Sequence, residues 1–165
     1  MKSTLLALLS LCSLSLLQAE TTVTLEGVHN CCKSCANGIT GAAKGLKDVS
    51  ITTDGESVTI KAKNEQGARK AVEAVMKAGY YGNNSLVAAA SSSGSDKKLT
   101  EATVTGAHLC CGKCSKAMIA AVESVKGVKE HSVATKVKSF TVKGEFTASE
   151  LLAAMNKAGF HGSIK

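Results

Sequence analysis

A short cysteine-rich stretch that occurs twice constrains this chain more than any other feature. The first copy, GVHNCCKSC, spans residues 27–35, and the second, GAHLCCGKC, spans residues 106–114. Both follow the pattern G-x-H-x-C-C-x-x-C, and each lies between an alternating apolar run and a helical one. The chain is therefore predicted to contain two copies of one structural unit, each with three thiols and an imidazole at a strand-to-helix turn.

The spacing of the cysteines argues against a structural disulfide framework. Apart from Cys12, which lies in the N-terminal segment, all the cysteines lie in the two copies. A disulfide stabilises a fold mainly by closing a long loop, and cysteines at positions i, i+1 and i+4 close almost none. Thiolate and imidazole are ligands that soft metal ions prefer. We therefore predict that each unit binds one soft metal ion.

The N-terminal segment has the composition of a cleavable secretory signal. Lys2 provides a positive start, residues 5–17 form an apolar run, and Gln18-Ala19-Glu20 offers a cleavage point. The run is too short and too interrupted by serine to span a bilayer, and no later stretch is long enough. We predict a signal peptide at residues 1–19 and an exported protein, periplasmic or secreted, that is not an integral membrane protein.

Periodicity predicts the same order of elements in both copies. In the first copy, strands are expected at residues 21–27, 49–53, 57–62 and 85–87, and helices at residues 36–46 and 65–78. In the second copy, strands are expected at residues 101–106, 128–134, 138–143 and 162–164, and helices at residues 115–126 and 148–158. Asp54-Gly55 predicts a hairpin turn, and Thr147-Ala148-Ser149-Glu150 predicts a capping box.

This order, β-α-β-β-α-β, is the ferredoxin-like split arrangement of a two-layer α+β unit. We predict two ferredoxin-like βαββαβ domains in tandem, at residues 20–87 and 99–165. Residues 88–98, which combine Ala, Ser, Gly and Lys without an apolar period, are predicted to be a linker. The net charge of +7 comes from dispersed lysines with a single arginine, Arg69, and aromatic residues make up only 3% of the chain. Nucleic-acid binding is therefore not expected.

The units resemble the heavy-metal-associated domain family, which includes copper chaperones, modules of metal-pumping ATPases and a periplasmic mercury-binding protein. The resemblance is carried by the glycine before the cysteine loop, the C-x-x-C, the order of elements and the endings Ala78-Gly79-Tyr80 and Ala158-Gly159-Phe160. It implies two pairs of metal thiolates, Cys32 with Cys35 and Cys111 with Cys114. It also implies exchange of metal with a membrane metal transporter or another metal-binding protein.

The chain departs from the family pattern, Gly-Met-x-Cys-x-x-Cys, in both copies. Gly27 is followed by Val28, and the C-x-x-C begins two positions late, at Cys32. The additional thiols and imidazoles, which the family does not supply, are Cys31, Cys110, His29 and His108. A third thiol could make a trigonal site, and a third thiol with the histidine could make a tetrahedral zinc site. Spare thiols and histidines that only form hydrogen bonds remain alternatives.

The metal that we predict is Cu(I), with zinc second and Hg(II) as a further alternative, because thiolates from one loop suit a soft ion of low coordination number. A rival hypothesis is an extracytoplasmic thiol–disulfide oxidoreductase, since C-x-x-C at a strand-to-helix turn is also a redox arrangement. Each unit is short for that fold, and the chain contains no proline. A third hypothesis is an interaction module with incidental cysteines. We predict a non-enzymatic protein that sequesters or carries metal.

Overall fold

The computed structural model describes residues 19–86, the first half, and residues 96–165, the second half. The predicted signal peptide up to residue 18 and linker residues 88–95 lie outside the described residues. The elements of the first half are β1 (Thr21–Leu25), α1 (Lys33–Gly41), β2 (Val49–Asp54), β3 (Ser57–Ala62) and α2 (Glu65–Lys77). Those of the second half are β4 (Lys98–Thr105), α3 (Gly112–Glu123), β5 (Val128–His131), β6 (Ser139–Thr147), α4 (Ala148–Lys157) and β7 (Ser163–Ile164).

Each half has its own antiparallel sheet with helices packed against it. The first sheet has the strand order β1-β3-β2, and the second has the order β5-β6-β4-β7. The central strand of the first sheet pairs Ile60 with Val23 on one side and with Ile51 on the other. The predicted hairpin at Asp54-Gly55 is confirmed, because Asp54 pairs with Ser57 across that turn. The chain is therefore a mixture of α and β elements in two sheets, as the α+β prediction requires.

The first half lacks the fourth strand that was predicted at residues 85–87. Ser85 and Leu86 are bent, Val87 lies outside the described residues, and an isolated bridge pairs Glu26 with Asn83 instead. The Asn84 side chain explains the bend, since it donates to the Gly82 carbonyl (3.0 Å) and accepts from the Leu86 N–H (3.0 Å). Asparagine hydrogen bonds of this local kind compete with strand pairing. The second half keeps its last strand as β7, paired with β4.

Several element ends differ from the predicted ones. Helix α1 ends at Gly41, although its apolar period continues to Leu46, and turns lead to Gly45, which has a φ of +95°. Strand β6 runs on to Thr147, past the predicted end at residue 143, with a register shift in its pairing with β5.

The longest described helix, α2, has 13 residues. Among the described residues no helix is long and apolar enough to cross a bilayer.

Small apolar residues fill most of the core. Helix α2 buries Ala68, Ala71, Val72, Val75 and Met76 on one face. The capping box predicted at the start of α4 is confirmed: Thr147 Oγ1 accepts from the Glu150 N–H (3.1 Å), and Glu150 Oε2 accepts from the Thr147 N–H (2.8 Å). The core also contains four buried aromatic side chains, Tyr80, Phe140, Phe146 and Phe160.

The two halves meet where α2 and α4 end. Tyr80 and Phe160 form an antiparallel bridge between the halves. On either side of it, a glycine carbonyl accepts two backbone hydrogen bonds from the other half. The donors are the N–H groups of His108 (3.4 Å) and His161 (3.1 Å) to Gly79, and of His29 (3.3 Å) and Tyr81 (3.0 Å) to Gly159. These contacts are reciprocal, because each half donates two hydrogen bonds to the corresponding glycine of the other half.

Only glycine fits at these two junction positions. Gly79 has a φ of +93° and Gly159 a φ of +82°, in the left-handed region that disfavours side chains. A Cβ at Gly79 would collide with the backbone at Gly106 and His108, and one at Gly159 with the backbone at Gly27 and His29. The Ala-Gly-aromatic endings of the two units therefore serve as the junction between them.

Candidate metal centre

Both cysteine loops are held between a strand and a helix in the same way. In the first half, Gly27 (φ +75°) turns the chain after β1, the buried Val28 donates its N–H to the Glu56 carbonyl (2.9 Å), and Cys32 is the N-cap of α1. In the second half, Gly106 (φ +84°) makes the same turn and Leu109 is buried. Cys111 is the N-cap of α3. The last cysteine of each loop therefore lies in the first helical turn.

The structure brings all six loop cysteines into one cluster. Its members, which we call the six-sulfur cluster, are Cys31, Cys32, Cys35, Cys110, Cys111 and Cys114. Within each half the last cysteine lies 3.5–3.8 Å from the other two sulfurs, as for Cys32 with Cys35 (3.6 Å) and Cys111 with Cys114 (3.5 Å). Between the halves the distances are the same, including 3.8 Å from Cys35 to Cys114 and 3.6 Å from Cys35 to Cys110. The junction described above places the loops face to face.

This grouping of the sulfurs across the two units was not predicted from the sequence. The loops lie far apart along the chain, and the sequence predicts a separate site in each unit. Instead, Cys31 contacts Cys111 and Cys114, both at 3.7 Å, and Cys110 contacts Cys32 at 4.0 Å. Cys31 and Cys110 therefore each contact sulfurs of both halves.

The spacing of the sulfurs suits metal ligation and excludes disulfide bonds. A disulfide has its sulfurs about 2.05 Å apart, whereas all six thiols here are free. Two thiolates that share a tetrahedral or trigonal metal ion at about 2.3 Å lie roughly 3.8–4.0 Å from each other. The sulfur–sulfur distances of 3.5–4.0 Å in the cluster are close to that range.

Burial makes three thiols of the cluster hard to ionise. Cys35 and Cys114 are fully buried, and Cys31 and Cys110 are partly buried. Burial raises the pKa of the Cys31 thiol to about 12 and that of Cys110 to about 11, and it raises the pKa of Cys114 further still. The thiols of Cys31, Cys110 and Cys114 therefore carry protons at neutral pH until a cation compensates the charge of the thiolate.

The two N-cap thiols, Cys32 and Cys111, are instead easier to ionise than an ordinary thiol. The backbone N–H and then the thiol of Cys35 lower the pKa of Cys32. The same groups of Cys114 lower the pKa of the Cys111 thiol to about 6. A helix N-terminus favours a thiolate, because its free N–H groups and dipole stabilise negative charge. Each loop therefore offers one thiol that is ready to bind a cation.

His29 and His108 lie against the cluster and across the junction. The His29 ring stacks on Phe160 (4.4 Å between centroids), and the His108 ring stacks on Tyr80 (4.5 Å). Burial lowers the pKa of both imidazoles, so they are neutral at pH 7. The Nε2 atom of each is buried without a hydrogen-bond partner. A ring nitrogen of His29 lies within 4.8 Å of the sulfurs of Cys31 and Cys114. A ring nitrogen of His108 likewise lies within 4.8 Å of the sulfurs of Cys35 and Cys110.

These positions suit two roles for the histidines. A neutral imidazole nitrogen can bind a soft or borderline ion directly, or its N–H can donate to a thiolate and stabilise it. In both cases the ring meets sulfurs from both halves, since Cys31 and Cys114 come from different loops. The stacking aromatic ring, also from the other half, fixes the orientation of the imidazole and covers its face.

Sequence reasoning missed the residues that join the halves. Gly79, Tyr80, Gly159 and Phe160 were identified only as a family-like ending, although that repeated ending was the signal that marked them. The Tyr80 hydroxyl is buried without a hydrogen-bond partner, and it packs so closely on Gly38 of α1 that a Cβ there would collide with it. His161 contributes its backbone N–H to the junction. It is in none of the ligand groups among the described residues.

Comparisons with known proteins agree with a heavy-metal-binding centre. The family model described as the heavy-metal-associated domain matches residues 103–161, which run from β4 to the loop after α4. The chain thus contains one such domain in its second half, and that match together with the cysteine cluster indicates heavy-metal binding. No curated protein matches the chain.

Two solved structures are similar to the chain at low identity. One is the solution structure of the N-terminal soluble domains of Bacillus subtilis CopA, 19% identical, covering 90% of this chain and 96% of that one, with a TM-score of 0.32. The other comprises the first two RRM domains of yeast poly(U)-binding protein, 10% identical, covering 88% and 98%, with a TM-score of 0.26. At these TM-scores neither similarity defines how the two halves are arranged.

Proposed function

We propose that this chain is an exported, non-enzymatic protein of two heavy-metal-associated domains that together bind Cu(I). The observation that carries the proposal is the six-sulfur cluster. In it, every cysteine contacts at least one cysteine of its own half and at least one of the other half. The first half has the same loop and the same order of elements, as far as α2, as the matched second half. Export is supported by the composition of residues 1–19.

Cu(I) is favoured over zinc by the composition of the centre. The cluster supplies six thiols against two neutral imidazoles, and thiolates select soft ions. The main alternative is zinc, because His29 lies within 4.8 Å of Cys31 and Cys114 and this set could form part of a tetrahedral site. Hg(II) would be accepted by the same thiolates. The role we propose is to sequester the metal, or to carry it to or from a membrane metal transporter or another metal-binding protein by exchange of thiolate ligands.

A metal titration tests this proposal. The full reduced chain, handled without oxygen, is titrated with Cu(I) against a competing chelator, and in parallel with zinc. We expect tight Cu(I) binding that zinc does not displace. Replacing Cys32→Ser together with Cys111→Ser removes the two thiols most easily ionised, and should weaken binding at least about 100-fold, because thiolates are the ligands.

A matched control changes the same loops without touching a sulfur. Lys33→Ala with Lys113→Ala alters two exposed residues and should leave Cu(I) affinity within about two-fold. Far-UV circular dichroism checks that both double variants are folded. If the cysteine variant bound Cu(I) as tightly as the unaltered chain, the proposed function would be wrong.

The oxidoreductase alternative is favoured by one observation, the pKa of about 6 at Cys111. A thiolate at neutral pH is also what a thiol–disulfide exchange catalyst uses. The two functions are separated by adding a disulfide substrate and a thiol reductant to the metal-free chain. Catalytic turnover of the substrate by the metal-free chain would support that alternative, and its absence alongside tight Cu(I) binding would support ours.

A further inference from the structure

The six sulfurs have the connectivity of an octahedron. Nine contacts of 3.5–4.0 Å join them. Three more pairs belong to ligand groups whose atoms all lie within 4.8 Å of one another, namely Cys31–Cys32, Cys32–Cys111 and Cys110–Cys111. These nine contacts and three pairs make up the twelve edges of an octahedron.

With these twelve edges, we assign the remaining three pairs to opposite corners of the octahedron. They are Cys31–Cys110, Cys32–Cys114 and Cys35–Cys111, and each takes one cysteine from each half. Every triangular face contains one corner of each pair. Each loop therefore provides all three corners of only one face. Every other face combines sulfurs from both halves.

We propose that this octahedron holds one polynuclear Cu(I)–thiolate cluster, with about four Cu(I) ions on alternate faces. In that arrangement each ion is bound by three sulfurs, and each sulfur bridges two ions. The proposal rests on the proposed function, Cu(I) binding, and replaces two separate ions by one shared cluster. Neither half can build it alone, because three of the four alternate faces need sulfurs from both loops.

The dimensions of the faces fit a three-coordinate ion. The face Cys31–Cys111–Cys114 has edges of 3.7, 3.7 and 3.5 Å, and the face Cys35–Cys110–Cys114 has edges of 3.6, 3.8 and 3.6 Å. The centre of each lies about 2.1 Å from its sulfurs, close to the roughly 2.3 Å of a metal–thiolate bond. These two faces share only the Cys114 corner, as alternate faces of an octahedron must.

The charges of such a cluster can be balanced without any redox step. The six thiols release their protons to the solvent, and the thiolates bind four Cu(I) ions whose oxidation state does not change. The product carries a net charge of about −2, far less than six uncompensated thiolates in the same space would carry. His29 and His108 lie over the Cys31–Cys114 and Cys35–Cys110 edges, where an imidazole N–H can donate to a bridging sulfur.

Ion counting together with X-ray absorption on the full chain tests the cluster. Native mass spectrometry during Cu(I) titration should show the metal-free chain giving way to a species with about four ions, with little of the intermediates, because a bridged cluster forms cooperatively. The copper absorption spectrum should show three sulfur neighbours and a copper–copper vector. Two ions bound stepwise without that vector would overturn the cluster and leave the proposed function standing. Absence of Cu(I) binding would overturn both.

A variant that removes two opposite corners best distinguishes one shared cluster from two separate sites. Replacing Cys31→Ser with Cys110→Ser removes one corner from every face, so the multi-ion species and the copper–copper vector should both be lost. Two independent C-x-x-C sites would retain two ions in this variant, since Cys32, Cys35, Cys111 and Cys114 remain. Cys31→Ser alone leaves two alternate faces intact and should hold about two ions.

Two controls separate loss of the cluster from loss of the fold. The Lys33→Ala, Lys113→Ala variant should load the same number of ions as the unaltered chain. Amide NMR spectra of each metal-free cysteine variant establish that the fold is kept, and ions are counted on folded protein only. If the opposite-pair variant still loaded about four ions with a copper–copper vector, the octahedral cluster would be refuted.

Discussion

Cys111 and Cys114 lie one helical turn apart and yet have opposite acidities. Cys111, at the N-cap of α3, has a pKa lowered to about 6 by the backbone N–H and the thiol of Cys114. Burial raises the pKa of Cys114 instead. In the proposed function, a metal ion arriving from solvent would therefore meet the Cys111 thiolate before the protonated, buried thiol of Cys114. The order of binding follows from the position of each thiol relative to the helix end.

Thiol alkylation of the metal-free chain tests this difference. Because the pKa of Cys111 is lowered, its reactive thiolate is present above about pH 6 and is lost as the pH falls through that value. We expect iodoacetamide to modify Cys111 at least about ten times faster than Cys114 at pH 7, with a half-maximal rate near pH 6. Peptide mapping by mass spectrometry measures both rates. Equal rates at the two cysteines, or a midpoint above pH 8, would contradict the assignment.

The identity of the site residues could be predicted from the sequence, but their grouping could not. Repetition of the pattern marked His29 and Cys31 together with His108 and Cys110, and the helical period that follows placed Cys35 and Cys114 at helix starts. Nothing in the sequence shows that Cys35 lies 3.8 Å from Cys114. That distance depends on contacts between residues far apart along the chain, which local patterns do not encode.

At the scale of single elements, α4 is the helix whose start is most clearly encoded. Thr147 and Glu150 satisfy each other's backbone N–H groups in a reciprocal capping box. Thr147→Ala removes one acceptor, and we expect a loss of about 1 kcal/mol in the free energy of unfolding of the metal-free chain. Urea denaturation followed by circular dichroism measures the shift in midpoint.

The neighbouring Ser149 supplies the matched control for this helix. It lies in the same first turn but takes no part in the capping box. Ser149→Ala should be neutral or slightly stabilising, because alanine has the higher helix propensity. An equal loss from both substitutions would show that the cap is not the cause.

Element order was predictable, while several element ends were not. Alternating and helical periods identified every described helix and strand, but they also predicted a fourth strand in the first half that is not formed there. There the Asn84 side chain makes hydrogen bonds that replace strand pairing, and a pattern of apolar residues carries no record of them. Similarly, α1 stops at Gly41 although apolar residues continue, because glycines and turns follow it.

At the scale of the whole molecule, the shared cluster depends on two glycines. Alanine at Gly79 or Gly159 would place a Cβ inside the backbone of the opposite loop. We therefore expect Gly79→Ala with Gly159→Ala to separate the halves, weaken Cu(I) binding at least about ten-fold and enlarge the radius of gyration. Chelator competition and small-angle X-ray scattering measure the two effects.

Gly45→Ala separates a collision between the halves from backbone strain alone. Gly45 has a φ of +95°, similar to that at Gly79, and a Cβ there meets nothing within 4 Å. It should cost some stability but leave Cu(I) affinity and the radius of gyration unchanged. If it weakened Cu(I) binding as much as the junction variant, strain rather than contact between the halves would be the explanation.

The paired hydrogen bonds at the junction also bear on how metal could leave. Each glycine carbonyl accepts from two N–H groups of the other half, one of them in the cysteine loop and one beyond the helix end. Moving either carbonyl away breaks both of its bonds at once, so the junction consists of two paired contacts rather than four independent ones. Because Cys35 and Cys114 are both buried where the halves meet, separation of the halves would expose the two thiols together, and in the proposed function that open form would be the one that releases metal.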